Sequence, residues 1–184
     1  IDSKNEDKPY AYLKGFTKAA LNNLSVRLVK GRLPENTNEI VIPTHLKTNG
    51  RLDLKLNDSI TLEVGKRIDS KGDELNQSDK YQNTAGEQLV EMQTRTYKIV
   101  GIIERPATNI EYYTAPGYTF ITYIDSKNLS GNVDIYAKFT KDGVKNWDKT
   151  IANILGVSQV LFRKVYNQEI ESEKLTEQLK KTYM

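Results

Sequence analysis

Two stretches decide the fold: Lys30-Gly31-Arg32-Leu33-Pro34-Glu35-Asn36-Thr37-Asn38-Glu39-Ile40-Val41-Ile42, and Tyr97-Lys98-Ile99-Val100-Gly101-Ile102-Ile103-Glu104-Arg105-Pro106. In the first, a turn rich in Gly, Pro and Asn runs into an apolar segment closed by Pro43, which predicts a short buried strand. In the second, a strand-forming run carries a glycine inside it and stops at a proline, the pattern of a bulged or closely packed strand with a sharp exit. Neither stretch supplies a nucleophile or a base.

Working outward, Tyr10–Phe16 predicts a short strand, and Thr17–Asn23 a turn or two of helix. Leu24, Val26 and Leu28 alternate with Ser25 and Arg27, which predicts a half-buried strand running into the Gly31 turn. Between Leu46 and Leu56 the Asn49-Gly50 turn signal competes with alternating leucines, so a turn plus a short extended piece is expected. Ile60, Leu62 and Val64 fall on one face of a strand entered through Asn57-Asp58. From Lys66 to Glu87 the chain is polar, predicting an exposed hairpin extension or a mobile loop. Leu89–Ile103 is one long strand or two joined near Arg95, and Tyr118–Ile124 is another strand.

The two ends differ from this middle. Ile1–Pro9 is charged and reads as a loose lead-in. Val133–Phe139 alternates as a strand, and Trp147, Ile151, Ile154 and Leu155 form a helical stripe ending at Gly156, with Asp142 or Asn146 as its cap. Val157–Phe162 predicts a strand and Asn167–Lys181 a solvent-facing helix. The expected class is therefore α+β, as a mainly β insert of residues 31–131 within a smaller α+β layer formed by residues 1–30 and 132–184.

Length and composition set the outer limits. A chain of 184 residues buries a core of its own, and 38% hydrophobic with 28% charged residues fits neither a disordered chain nor a membrane span. No apolar run approaches the ~20 residues of a spanning helix. A first residue of Ile1 and no signal-like segment suggest an excised piece of a longer protein. The net charge of +3 comes from 27 basic and 24 acidic residues that are interleaved, which argues against nucleic acid as a partner. With no cysteine, thiol catalysis and thiolate metal sites are excluded.

Chemistry-bearing constellations are sparse. His45 is the single histidine, which rules out multi-histidine metal sites, and its neighbours Thr44 and Leu46 mark it as a surface residue. Asp53, Asp58, Glu63, Asp69 and Asp73 fall in turns or on polar strand faces, where solvated charge is the simple reading, and Asp69 to Glu74 lacks the ladder of a calcium loop. The glycines form no phosphate-cradling motif. No catalytic, cofactor-binding or metal residue is assigned, and no cofactor is expected. Tyr112, Tyr113, Tyr118 and Tyr123 surround Pro116-Gly117, as a partner or cargo contact or as the cover of a sheet.

Gly31-Arg32-Leu33-Pro34 with Glu39–Ile42, then Asn57–Leu62, then Tyr97–Ile103, then Pro116-Gly117-Tyr118-Thr119 leading to Ile121–Asp125, resemble in order and spacing the extracytoplasmic core domain of MacB/FtsX-type ABC transporter permeases, most of all those of Gram-positive type. The resemblance implies a β-rich, sabre-like insert on a porter-like α+β layer. It also implies a place on the extracellular face of the cell membrane, between two membrane helices of a permease. The implied partners are a cytoplasmic ABC ATPase, a second permease domain or extracellular partner, and peptide or lipoprotein cargo. The domain would transmit motion and do no bond chemistry. The competing class is a free-standing cell-surface module binding carbohydrate or peptide; an exported hydrolase is a third.

Overall fold

A computed structural model describes residues 1–24, 26–82, 86–107, 110–125, 127, 140, 142–156 and 158. The chain divides into two compact units, Ile1–Tyr136 and Ala137–Met184. In the first, the strands are β1 (Tyr10–Phe16), β2 (Leu28–Gly31), β3 (Glu39–Pro43), β4 (Ser59–Ile68), β5 (Glu74–Leu75), β6 (Gln88–Ile103) and β7 (Gly117–Tyr123). Two short helices, α1 (Lys18–Asn23) and α2 (His45–Thr48), connect them. The strands form one sheet in the order β1-β7-β3-β6-β4-β5, with β2 added to β6. Pairs β1/β7 and β3/β6 are parallel and the others antiparallel, so the class is α+β with the sheet dominant.

The centre of the sheet is covered on both faces, which is why its strands read as unbroken apolar runs. Ile40, Ile42, Ile99, Tyr118 and Phe120 pack with Leu46 of α2 and Leu62 of β4. The residues between them, Val41, Val100 and Ile121, pack with Phe16, Ile103 and Leu21 of α1. This is the period-two alternation of strands, used twice. Helix α1 starts where Thr17 accepts a hydrogen bond from the Ala20 N–H at 3.3 Å, satisfying one of its free donors. The sheet curls: Arg67 of β4 lies over the Tyr10 ring of β1 at 5.3 Å, and Gln77, just beyond β5, reaches the backbone at Gly117.

The two glycines of the deciding stretches meet. Gly31 sits opposite Gly101 with φ +77°. A Cβ on Gly31 would run into the Val100 carbonyl, and one on Gly101 into the Arg32 carbonyl, so glycine at both places lets two backbones approach. Arg32 closes the intervening loop by donating to both Glu39 oxygens at 2.7 and 2.6 Å. The Glu35 N–H adds a third bond to Glu39 at 2.9 Å. The Arg32 hydrogen bonds outweigh burial and hold the Glu39 carboxyl down to about 2.

Several expectations are met here: β1, α1, β3 ending at Pro43, β4, one long β6 and β7 all lie where the pattern puts them. Others are corrected. Leu24 and Val26 pack against the core, but the strand begins only at Leu28, and its four residues are exposed. Residues 45–48 are helical, because Thr44 follows the end of β3 in helical geometry and Leu46 turns into the core. Ile1–Pro9 is no loose lead-in. The Ile1 amine donates to the Pro9 carbonyl at 3.2 Å, the Lys4 N–H to Gly50 at 2.9 Å, and Lys8 is buried.

The polar stretch from Lys66 to Glu87 does contain a hairpin extension, β4/β5, yet it is not exposed throughout. Arg67 donates to both Glu87 oxygens at 2.7 and 3.0 Å and to the carbonyls of Asn76 and Asp79, with both charged side chains buried. One buried ion pair thus organises a segment that has few apolar residues.

Residues 1–30 share the sheet of 31–131, since β1 is bonded to β7 and β2 to β6. Grouping 1–30 with 132–184 rests on residues most of which lie outside the described ones. In the second unit, a short 3₁₀ turn (Gly143–Asn146) leads into α3 (Trp147–Leu155), which ends on Gly156 in the left-handed region at φ +67° as expected. Neither Asp142 nor Asn146 caps it through its side chain. Ala152 and Asp148 are buried whereas Ile154 is 70% exposed, so the buried side is displaced from the predicted stripe. The strands expected at Val133–Phe139 and Val157–Phe162 and the helix at Asn167–Lys181 lie outside the described residues. No helix among the described residues is long and apolar enough to cross a membrane.

Candidate functional site

The four tyrosines singled out in the sequence are not brought together on one surface. Tyr112 and Tyr113 are 55% and 76% exposed, while Tyr118 is fully buried in β7 and Tyr123 is half-buried against the core beside Phe16 and Ile121. Strand alternation separates them: Tyr118 points to the α2 side of the sheet, where its hydroxyl donates to Asn49 at 2.6 Å.

Tyr113 instead belongs to the rim of a polar cavity of about 470 Å³, also lined by Lys8, His45, Lys80, Tyr81 and Arg105. Beneath the cavity lies Glu111, 1% exposed. Its Oε1 accepts from Lys8 Nζ at 3.0 Å and from His45 Nε2 at 2.8 Å, and Arg105 Nε is 3.5 Å away. Its Oε2 accepts from the Thr119 N–H at 2.8 Å, so β7 holds the carboxylate in place. Lys8 also donates to the Ala115 carbonyl at 2.8 Å, tying the N-terminal segment to the loop that precedes β7.

The environment fixes the charges. Burial pushes the Glu111 carboxyl up, but the hydrogen bond and charge of His45, the Thr119 N–H and Lys8 pull it down further, to about 2. An ionised carboxylate accepts only, so His45 Nε2 carries the proton. Lys8 is lowered, because loss of water outweighs the attraction of Glu111, and Arg105 adds to the lowering. His45 is therefore a built-in member of a buried cluster and not the surface residue expected. Its signal in the sequence was weak: the helical turn that carries it is only four residues long, and its partner is 66 positions away.

A second cavity of about 450 Å³ lies inside the curl of the sheet, lined chiefly by Leu13, Leu52, Ile60, Leu62, Val64 and Phe120. Its walls are the apolar faces of β1 and β4. Among the described residues, no group of three or more His, Cys, Asp or Glu is placed to hold a metal ion. No protein-family model, no curated protein and no solved structure matches the chain.

Proposed function

We propose that this chain is the extracellular domain of a MacB/FtsX-type ABC transporter permease, a sabre-like β insert on a porter-like layer. In this reading it relays motion driven by a cytoplasmic ATPase to cargo or to an extracellular partner, and does no bond chemistry. The observation that carries the reading is the way the resembling segments interlock. They are spread from Gly31 to Asp125, yet they occupy neighbouring strands: β2 and β3 on β6, β4 on β6, and β7 on β3. The turn at Asn57-Asp58 joins them too, with the Asn57 N–H donating to Ile99 at 2.8 Å and Ile99 donating back to Asp58 at 2.9 Å. Segments that resemble a family in order and also interlock around Gly31 and Gly101 support one inherited unit better than chance matches would.

A rigid sheet centre suits a part that passes force on, because close-packed interiors transmit strain. The reading requires apolar segments of about 20 residues on both sides of this domain in its parent polypeptide. It is tested in the full-length transporter with single cysteines at the exposed Val29 or Met92, against a domain that has no native cysteine. Crosslinking between the two copies, or to the partner, is expected to change between ATP-free and ATP-hydrolysing conditions. Yields indifferent to turnover at every position would overturn the reading. The polar cavity favours a second reading, a surface module that binds peptide; a signal peptide and wall anchor in place of membrane helices would select it.

A further inference from the structure

The polar cavity holds more positive charge than its own carboxylates balance. Lys8, Lys80 and Arg105 line it, against Asp7 at its wall and Glu111 beneath it. Glu111 Oε1 is shared among Lys8, His45 and Arg105, which leaves the guanidinium, among the described residues, only long contacts: 3.5 Å to Glu111 and 3.4 Å to the Tyr113 carbonyl. Charge-assisted bonds of a guanidinium to a carboxylate ordinarily close to about 2.7–2.9 Å, often two at a time. The Arg105 fork is thus held in position, with Tyr113 stacked 4.8 Å away, while its donors are weakly used. Lys8 spends two of its N–H groups on Glu111 and Ala115, both within 3.0 Å, and is only 6% exposed.

The cavity also offers a neutral group that is complementary in the same sense. His45 Nε2 is committed to Glu111, and His45 Nδ1, which has no hydrogen-bond partner among the described residues, is buried and closed to a ligand in the cavity. Asn49 accepts from Asn5 Nδ2 at 2.7 Å and from the Tyr118 hydroxyl at 2.6 Å, both through Oδ1, which turns its own amide N–H₂ outward as a donor. One cavity therefore combines a cationic fork and a neutral donor, beside the aromatic rings of Tyr81 and Tyr113.

We infer that this cavity binds the C-terminal residue of a peptide: its carboxylate on Arg105 and Lys8, and its preceding carbonyl on Asn49. A volume of about 470 Å³ lies within the range of roughly 300–1,000 Å³ typical of small-ligand sites and has room for one or two residues. A monoanion fits better than a phosphate, because Glu111 and Asp7 repel a second negative charge, and a planar two-oxygen acceptor matches the guanidinium fork. The inference does not depend on the permease reading, since a peptide terminus is a fitting cargo or partner group for either a permease domain or a free module.

The test is a titration of the 184-residue chain at low salt, followed by NMR or calorimetry. The probes are N-acetyl-alanine, its neutral amide, glucuronate and inorganic phosphate. N-acetyl-alanine is expected to saturate and to shift the His45 ring signals, the amide to bind at least tenfold more weakly. Arg105→Gln, at a half-exposed position that leaves the core intact, is expected to weaken N-acetyl-alanine tenfold or more, and Asn49→Ala to weaken it several-fold while leaving carboxylates without an amide unaffected. Unsaturable binding, equal binding of the amide, or preference for phosphate or glucuronate would overturn the inference. So would unchanged affinity in folded Arg105→Gln; should that variant fail to fold, the four-probe ranking on the unaltered chain decides alone.

Discussion

Each of two regions of this molecule buries a carboxylate, and they do it by different means. Where β3 begins beside β6, Glu39 meets Arg32 from seven positions away, next to an apolar sheet centre whose strands announce their burial as apolar runs. Around Glu111 the partners come from positions 8, 45 and 105, the most distant separated by 103 residues, and are polar in every case. The first arrangement stands on hydrophobic burial and adds a local ion pair; in the second the ion pairs are themselves the junction between the N-terminal segment, α2 and β7. The comparison teaches that burying a charge here goes with partners that answer it, and Glu111, with four, is the extreme case.

Breaking the apolar region should cost the most. Phe120 is fully buried among Ile40, Ile99 and Leu62, so Phe120→Ala is expected to destabilise the chain by about 3–5 kcal/mol, read from urea or guanidinium unfolding. A loss below about 1 kcal/mol would mean that the sheet centre is not the core that this packing implies.

Next comes the polar region. Glu111→Gln keeps the shape but leaves Lys8 and Arg105 facing each other without their counter-charge, at an expected cost of about 3 kcal/mol. The pH dependence sharpens the contrast. Glu39 and Glu111 are both depressed to about 2 from an ordinary 4.5, so each adds stability that is fully present above pH 4.5 and is lost as pH falls from 4.5 toward 2. Lys8 works the other way: its lowered pKa costs stability at neutral pH, and that cost fades only as alkaline pH discharges it in the folded state. Melting temperature followed from pH 6 to pH 2 should therefore fall less steeply in Glu111→Gln and in Glu39→Gln than in the unaltered chain. Added salt should flatten the Glu39 contribution more, since Arg32 is half-exposed whereas Lys8 and Glu111 are not. Equal slopes in all three proteins would remove both carboxylates from the account.

The same contrast decides what was legible in the sequence. β3, β6 and β7 could be read because a short strand-forming run and, for β3 and β6, a terminating proline are local signals, each complete within a dozen residues or so. The pairing of Gly31 with Gly101 was half legible: Gly31 stood out as a turn glycine and Gly101 as a strand glycine, but that each makes room for the other's backbone is a fact of register. The Glu111 cluster was not legible, since Lys8 lies in a charged run and His45 beside a proline, and nothing local distinguishes a buried lysine from a solvated one. Arg67 and Glu87 were hidden in the same way within a polar segment whose composition argued for exposure. Long-range polar pairing has no period, and so composition misread each of these residues.

The smallest expected effects come from two tyrosines that the sequence grouped and the fold separates. Tyr118→Phe removes a buried hydroxyl that donates to Asn49 at 2.6 Å and lies 3.4 Å from the Ser3 hydroxyl, leaving the ring in place; about 1 kcal/mol is the expected loss. Tyr112→Phe alters a residue more than half exposed, and a change within about 0.5 kcal/mol is expected. The two substitutions delete the same atom from the same residue type, so the chemistry cancels and only the surroundings differ. Equal losses would say that Tyr112 is covered by something as demanding as the Asn49 amide, which would return it to the role of a contact residue. A larger loss at Tyr118 would say that burial and hydrogen bonding, and not the crowding of tyrosines along the chain, decide what each one does.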